Sequence, residues 1–226
     1  MERDCVVVVA GAPIKDTRWL KQTLDSHPNA YRIGVDRGAL KLSRLGFHLD
    51  EAVGDFDSVS EEEFCLIKQS THQLTQLPRE KDLTDLDEAL LHITSNPSLN
   101  NKPVYIYGAL GSGGGRLDHL LHNISLFSRE LFKPLLSRVH LIEKDQEVLV
   151  FKPGFHLIKE APRWQYFGVF TLNSVKQLTI QQAKYTLEPT DTKGFTSWIS
   201  NEFIPHQDAL IQFESGIVFV VLTALT

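Results

Sequence analysis

Val6-Val7-Val8-Val9-Ala10-Gly11 is a run of β-branched residues closed by glycine. Four successive valines leave no polar face, so as a strand they must be covered on both sides, as in the interior of a parallel sheet. Working outward, a helical pattern follows through Trp19-Leu20 and Leu24, and Tyr31–Val35 reads as a second strand ending at Asp36. Ala39, Leu40, Leu42 and Leu45 mark a short amphipathic helix stopped by Gly46. Ala52-Val53-Gly54 leads into an acidic stretch, Glu61 to Lys68 reads as helix and Gln73 to Leu77 as strand. Thr84 to Thr94 is a helix with Leu86, Leu90 and Ile93 on one side, Val104–Tyr107 a buried strand, and Leu117 to Phe127 a further helix. This alternation predicts an α/β unit over 1–142, a mostly parallel, Rossmann-like sheet with flanking helices.

The pattern changes after Leu141. Glu147–Phe151, Gly168–Leu172, Leu178–Ile180, Tyr185–Leu187, Ala209–Phe213 and Ile217–Leu222 read as short strands separated by Gly, Pro, Asn and Asp turn signals. The expectation for 143–226 is a small antiparallel β-sandwich. The 226 residues are 42% hydrophobic and 23% charged, as in an ordinary globular protein. A net charge of −5 argues against a nucleic-acid surface. Cys5 and Cys65 have neither disulfide-framework nor zinc spacing. The apolar run Cys5–Ala10, after the mixed-charge start Met1-Glu2-Arg3-Asp4, is too short to span a bilayer or to form a signal segment. The expected location is cytoplasmic, with no membrane contact.

Three acidic clusters fall just after predicted strands, where parallel sheets bind ligands. Asp55 and Asp57 in Gly54-Asp55-Phe56-Asp57-Ser58 are two apart, so an extended segment puts both on one face; an Asx-rich turn would use the same residues. In Lys81-Asp82-Leu83-Thr84-Asp85, Thr84 is a good N-cap with Asp87 at the third helical position, resembling a capping box, and Asp85 and Glu88 suit the helix dipole. Structural duty explains those acids, but less well the adjacent Lys81 and Asp82. The stretch Gly108-Ala109-Leu110-Gly111-Ser112-Gly113-Gly114-Gly115 lets backbone N–H groups approach an anion at a helix start. It is neither a Walker A motif nor a dinucleotide fingerprint, and Arg116 and Asp118 follow it directly. His119 and His122 read as hydrogen-bonding support rather than metal ligands, and Trp198 as a residue that can stack on a ring or pack in a core. Carboxylates gathered beside a glycine loop point to magnesium holding a polyphosphate.

Taken in order, Asp36-Arg37-Gly38-Ala39, Gly54-Asp55-Phe56-Asp57-Ser58, Lys81-Asp82-Leu83-Thr84-Asp85, Gly108-Ala109, Gly114-Gly115-Arg116-Leu117-Asp118-His119 and Asn123 resemble the thiamine pyrophosphokinase family. Lys184-Tyr185-x-Leu187 and Ser200-Asn201-Glu202 resemble its weaker C-terminal signals. The glycine loop is about two residues longer than the family's usual form, and Trp198 stands where a smaller residue is usual. The resemblance implies transfer of pyrophosphate from ATP to the hydroxyl of thiamine, giving thiamine diphosphate and AMP. It implies a homodimer with active sites between the subunits, a nucleotide- and magnesium-binding domain over 1–142, and a thiamine-binding, dimerising domain over 143–226. Asp36, Asp55, Asp57 and Asp85 would surround magnesium, with Asp55, Asp57, Asp82, Asp85 and Asp118 catalytic. Lys81, Thr84, Arg116, His119 and Asn123 would contact substrate, joined by Trp198, Ser200 and Asn201 on the thiamine side. Either Asp82 or Asp118 would take the hydroxyl proton.

Three other readings compete. A pyrophosphokinase for another heterocyclic alcohol, such as a pterin, could use the same α/β unit. Asp55-Phe56-Asp57-Ser58-Val59 could be the motif of an aspartate-nucleophile phosphatase, but that motif follows a long hydrophobic first strand, and Asp50-Glu51 interrupt this one. A non-catalytic nucleotide-binding module is the last.

Overall fold

Two units make up the chain, Met1–Lys144 and Asp145–Thr226. The computed structural model describes residues 3–111 and 113–225. Met1 and Glu2 of the mixed-charge start, Ser112 of the glycine-rich stretch and Thr226 lie outside them.

The first unit runs β1 (Val6–Val9), α1 (Thr17–Asp25), β2 (Tyr31–Val35), α2 (Arg37–Arg44), β3 (Leu49–Gly54), α3 (Glu61–Ser70), β4 (Thr71–Gln76), α4 (Asp85–Ser95), β5 (Val104–Tyr107), α5 (Leu117–Ser125), β6 (Val139–Ile142). Its strands are parallel neighbours in the order β6-β5-β1-β2-β3-β4. The four valines of β1 are 0% exposed, as a strand covered on both faces requires. The chain winds from β1 to β4 in one direction and then returns to β5 on the other side of β1. Strand order therefore reverses between β1 and β5, and a crevice opens beyond the carboxyl ends of these two strands.

Helix α2 packs closer to the sheet than a side chain would allow. A Cβ on Gly38 would lie 1.8 Å from the Val9 carbonyl oxygen, and one on Gly34 would lie 2.4 Å from Ala39 Cα. Both contacts are with backbone, so neither can be relieved by a rotamer. Gly38→Ala is expected to cost about 3 kcal/mol or more by overpacking, read as a lower thermal midpoint and a smaller soluble yield. An unchanged midpoint would show that α2 can lift from β1 freely.

The second unit runs β7 (Gln146–Phe151), β8 (Gly154–Ile158), β9 (Trp164–Thr171), β10 (Leu178–Gln181), β11 (Leu187–Thr190), β12 (Thr196–Asn201), β13 (Ala209–Phe213), β14 (Val218–Ala224). Strands β12-β9-β14-β7 are antiparallel neighbours, and β11-β10-β13-β8 form a second antiparallel sheet. Val169, Val218 and Val220 of the first set and Ile180, Ile211 and Phe213 of the second share one buried cluster, the expected sandwich core. The α/β class and the antiparallel second half are thus as the sequence indicates.

Several strands differ from expectation. β8 has no signature in the sequence pattern because its alternation is inverted: Phe155 and Leu157 are 70% and 57% exposed, while His156 turns inward and stacks on Phe151. β11 lies at Leu187–Thr190 rather than Tyr185–Leu187 and contains Pro189, which an edge strand tolerates. β12 carries an irregularity between Trp198 and Asn201, with Ser200 at φ 58°, which disguises its period. Among the described residues no helix is long and apolar enough to cross a membrane.

Candidate active site

Asp36 follows β2 and stands at the N-cap position of α2 with φ at 48°, an uncommon backbone angle for a residue bearing a side chain. Its Oδ1 accepts a hydrogen bond from the Phe56 N–H at 3.3 Å. A Cβ at Gly54 would lie 2.2 Å from that same oxygen, which explains the glycine at the end of β3: only bare backbone admits the Asp36 carboxylate. Phe56 is also at positive φ, 57°, and the turn it makes is tied by Asp57 N–H donating to Asp55 Oδ1 at 3.0 Å. Arg37 NH1 donates to the Ser58 carbonyl at 3.0 Å and fastens the turn to α2.

These constraints bring Asp36, Asp55 and Asp85 together, with one carboxylate oxygen from each within 4.8 Å of the others. Lys81 Nζ lies 2.7 Å from Asp85 Oδ1 and 4.0 Å from Asp55 Oδ2. The shorter contact is an ion pair by distance but is not aligned as a hydrogen bond, so the buried Asp85 Oδ1 has no hydrogen-bond partner. Burial pulls the Lys81 pKa down, but Asp85, then Asp55 and Asp36, outweigh it and hold the ammonium above its ordinary value. Burial pushes the Asp36 carboxyl up to about 7, and hydrogen bonding and repulsion from Asp85 add to the effect. A proton held between these carboxylates does what a cation would do better.

Because folded Asp36 holds its proton above the ordinary 3.8, its contribution to stability falls as pH rises from there towards about 7. Added magnesium is accordingly expected to raise the thermal midpoint more at about pH 8 than at about pH 5, where protons compete for the same oxygens. Equal increments at both pH values would count against these carboxylates as a cation site.

Beside the carboxylates lies a cavity of ≈ 430 Å³, at the crevice where strand order reverses. Ala10–Pro13 after β1 form one wall and Gly108, Gly111, Gly114 and Gly115 after β5 another. Asp36, Thr84, Asp85, Arg116, His119 and Asn123 also line it. Thr84 caps α4, accepting from the Asp87 N–H at 3.2 Å, and Asn123 Nδ2 donates to the Ala109 carbonyl at 2.8 Å.

The remaining expected residues sit elsewhere. Asp57 is outside the carboxylate group, exposed, and 3.7 Å from Arg79 Nε. Asp82 is exposed and does not line the cavity. Asp118 is exposed and engaged by Arg116, whose Nε donates to Oδ1 at 3.1 Å; this guanidinium is the main cause that holds the carboxyl below its ordinary range. In the second unit Trp198 packs against the sandwich core and Ser200 is exposed. The buried Asn201 amide is committed to backbone: Oδ1 accepts from the N–H groups of Tyr185 and Glu202, and Nδ2 donates to the Tyr185 carbonyl.

The expected capping box at α4 takes another form. Rather than returning to the Thr84 backbone, the Asp87 carboxylate accepts the Thr84 hydroxyl at 2.7 Å, His122 Nε2 at 2.9 Å and Arg129 NH1 at 3.0 Å. The full box is on α3, between Ser60 and Glu63. Asp87 is 0% exposed and joins the helix bearing Asp85 to the helix lining the other side of the cavity. Its partners lie 35 and 42 residues away, and no local pattern announces them.

Residues 22–135 match the family model described as thiamin pyrophosphokinase, catalytic domain, and residues 155–218 match its vitamin B1 binding domain. The chain belongs to the thiamin pyrophosphokinase family. A thiamine pyrophosphokinase of Bacillus subtilis (strain 168) is 33% identical over 216 residues, covering 95% of this chain and 96% of the relative. The crystal structure of a thiamin pyrophosphokinase family protein from Enterococcus faecalis aligns with a TM-score of 0.83 at 31% identity, over 98% of this chain and 100% of that one. The thiamine pyrophosphokinase structure from B. subtilis aligns with a TM-score of 0.81 at 30% identity, over 98% and 100%. The catalytic-domain match of the family spans Asp36 to Asn123, and the vitamin-binding match spans Trp198 to Asn201.

Proposed function

We propose that this chain transfers the pyrophosphoryl group of ATP to the hydroxyl of thiamine, yielding thiamine diphosphate and AMP. The observation that carries this reading is the grouping of Asp36, Asp55 and Asp85 beside a cavity walled by two glycine-containing segments, in a chain of this family. Three carboxylates, one with a buried oxygen that accepts no hydrogen bond, form among the described residues an all-oxygen group that fits magnesium, a cation that takes oxygen ligands. Asp36, Asp55 and Asp85 would hold it, and bound there it offsets charge on the polyphosphate.

The reaction forms a bond from the thiamine oxygen to the β-phosphorus and breaks the bond from that phosphorus to the bridging oxygen, which leaves on AMP, while the hydroxyl proton passes to Asp82 or Asp118; the rest of the protein's work is alignment and charge neutralisation. Lys81 supplies a fixed positive charge next to the carboxylates, and Arg116 a second one at the cavity wall. Thr84, His119 and Asn123 offer polar groups along the same wall. Apolar Val35, Leu86 and Ala109 reduce the water in the cavity, which strengthens these charges. Asp57, Asp82 and Asp118 are read as residues at the approach, and Trp198, Ser200 and Asn201 as the acceptor side of the second unit. The working form is read as a cytoplasmic homodimer without nucleic-acid or membrane partners; exposed Phe155, Leu157, Phe195 and Ile199 on the second unit support the dimer part of that reading.

The test is incubation with thiamine, ATP and magnesium, with nucleotides and thiamine esters resolved chromatographically. Equal amounts of thiamine diphosphate and AMP are expected. Thiamine monophosphate with ADP would overturn the β-phosphorus assignment, and product formed only with a pterin alcohol would overturn the acceptor. Sedimentation of the purified protein at the mass of one chain would overturn the dimer.

A further inference from the structure

Lys41 lies in α2, outside every sequence motif considered above. Its ammonium donates to three successive carbonyls: Ala10 at 3.0 Å, Gly11 at 3.1 Å and Ala12 at 2.6 Å. An ammonium has three donors, and all of them are engaged here. A lysine drawn out of water is unfavourable unless it gains something specific. Burial, with Arg37 nearby, pulls its pKa down to about 8, and Glu143 only partly offsets this.

What the three carbonyls belong to gives the arrangement meaning. Ala10–Pro13 leave β1 and form one wall of the cavity, and the glycine-rich stretch packs directly on them. A Cβ on Gly113 would lie 2.2 Å from the Pro13 carbonyl oxygen. One on Gly108, at φ +70°, would lie 2.9 Å from the Ala10 oxygen and 3.3 Å from that of Ala12. In a trans peptide, a carbonyl held towards Lys41 turns the next N–H the opposite way. The N–H after the Gly11 carbonyl is that of Ala12, and it donates to the Gly108 carbonyl at 3.2 Å. One ammonium, one short segment and the glycine-rich wall are therefore joined in series.

We infer that Lys41 is a positioning residue for the nucleotide cradle: by pinning Ala10–Ala12 it sets the surface against which the glycine-rich wall is held. The identity of the nucleotide rests on the function proposed above; the pinning does not. Two measurements separate them, amide hydrogen exchange on the free protein and the KM for ATP.

Lys41→Met keeps the reach of the side chain and removes its donors. Exchange at Gly11, Ala12 and the glycines from 108 to 115 is expected to accelerate by about tenfold, since local opening becomes easier. The KM for ATP should rise about tenfold with kcat within about threefold, and Lys41→Arg, which keeps a charged donor, should recover part of that loss. Should Lys41→Met fail to fold, Lys41→Gln, retaining one donating amide, takes its place with the same expectations. Unchanged exchange in these segments, or a fall in kcat with an unmoved KM, overturns the inference. Faster exchange in a protein that makes no thiamine diphosphate would uphold it while overturning the proposed reaction.

Discussion

Replacing Asp85 by asparagine is expected to lower thiamine diphosphate formation by about 10³-fold, close to 4 kcal/mol of transition-state stabilisation. The substitution is nearly isosteric, so the cavity keeps its shape and the start of α4 keeps a polar side chain. What goes is one of three charges within 4.8 Å of one another, the one whose Oδ1 is buried without a hydrogen-bond partner. Lys81 loses its nearest counter-charge, at 2.7 Å, and is left with Asp55 at 4.0 Å. Stability should not fall with activity, because the same change removes the neighbour that helps to push the Asp36 carboxyl up to about 7. The thermal midpoint without metal is expected to hold or rise, and the increment on adding magnesium to shrink. Turnover within about tenfold of the parent would remove Asp85 from the cation site and with it the chemical reading of the cluster.

Asp87→Ala should produce a large loss of stability. The carboxylate is 0% exposed and accepts hydrogen bonds from Thr84, His122 and Arg129. Deleting it leaves two basic groups facing a void, uncaps α4 and separates that helix from α5. His122 and Arg129 are themselves partly exposed and can rehydrate, so the full penalty of an isolated buried charge is reduced. A cost of about 3 kcal/mol remains, or a fall in thermal midpoint of roughly 10 °C. Asp87→Asn retains a group that can accept from Thr84 and should lose about half as much. A midpoint for Asp87→Ala within about 2 °C of the parent would mean that α4 and α5 are held together by apolar packing alone.

Much of this architecture is written in short-range pattern. The valine run and the alternation up to Tyr107 indicate the parallel sheet, and the acids after its strands indicate the edge where Asp36, Asp55 and Asp85 gather. The second half was harder for a definite reason: an edge strand with Phe155 and Leu157 outward and His156 inward violates the alternation that identifies strands, and Pro189 hides another. In the site, Asp36, Asp55 and Asp85 are legible as acids after strands; Asp57 carries the same local signature, and only the turn at Phe56 distinguishes it from them. Asn201 enters through the family resemblance alone; its hydrogen bonds to the Tyr185 and Glu202 backbone carry no local sequence signature. The sequence assigns Asp87 only a local capping part and Lys41 none, for a common reason. Each acts through partners supplied by another element, and single-chain spacing does not carry that information.

The place of β1 also bears on how the chain is made. Its two neighbours in the sheet are β2, which follows shortly, and β5, whose first residue is Val104. As a growing chain leaves the ribosome, Val6–Val9 can pair on one side early, but the other side stays open until Tyr107 has emerged. For that interval four valines present an unpaired edge, the kind of segment that recruits a stray strand. Holding that edge apart from other chains during synthesis, as a chaperone does, should therefore raise the soluble yield.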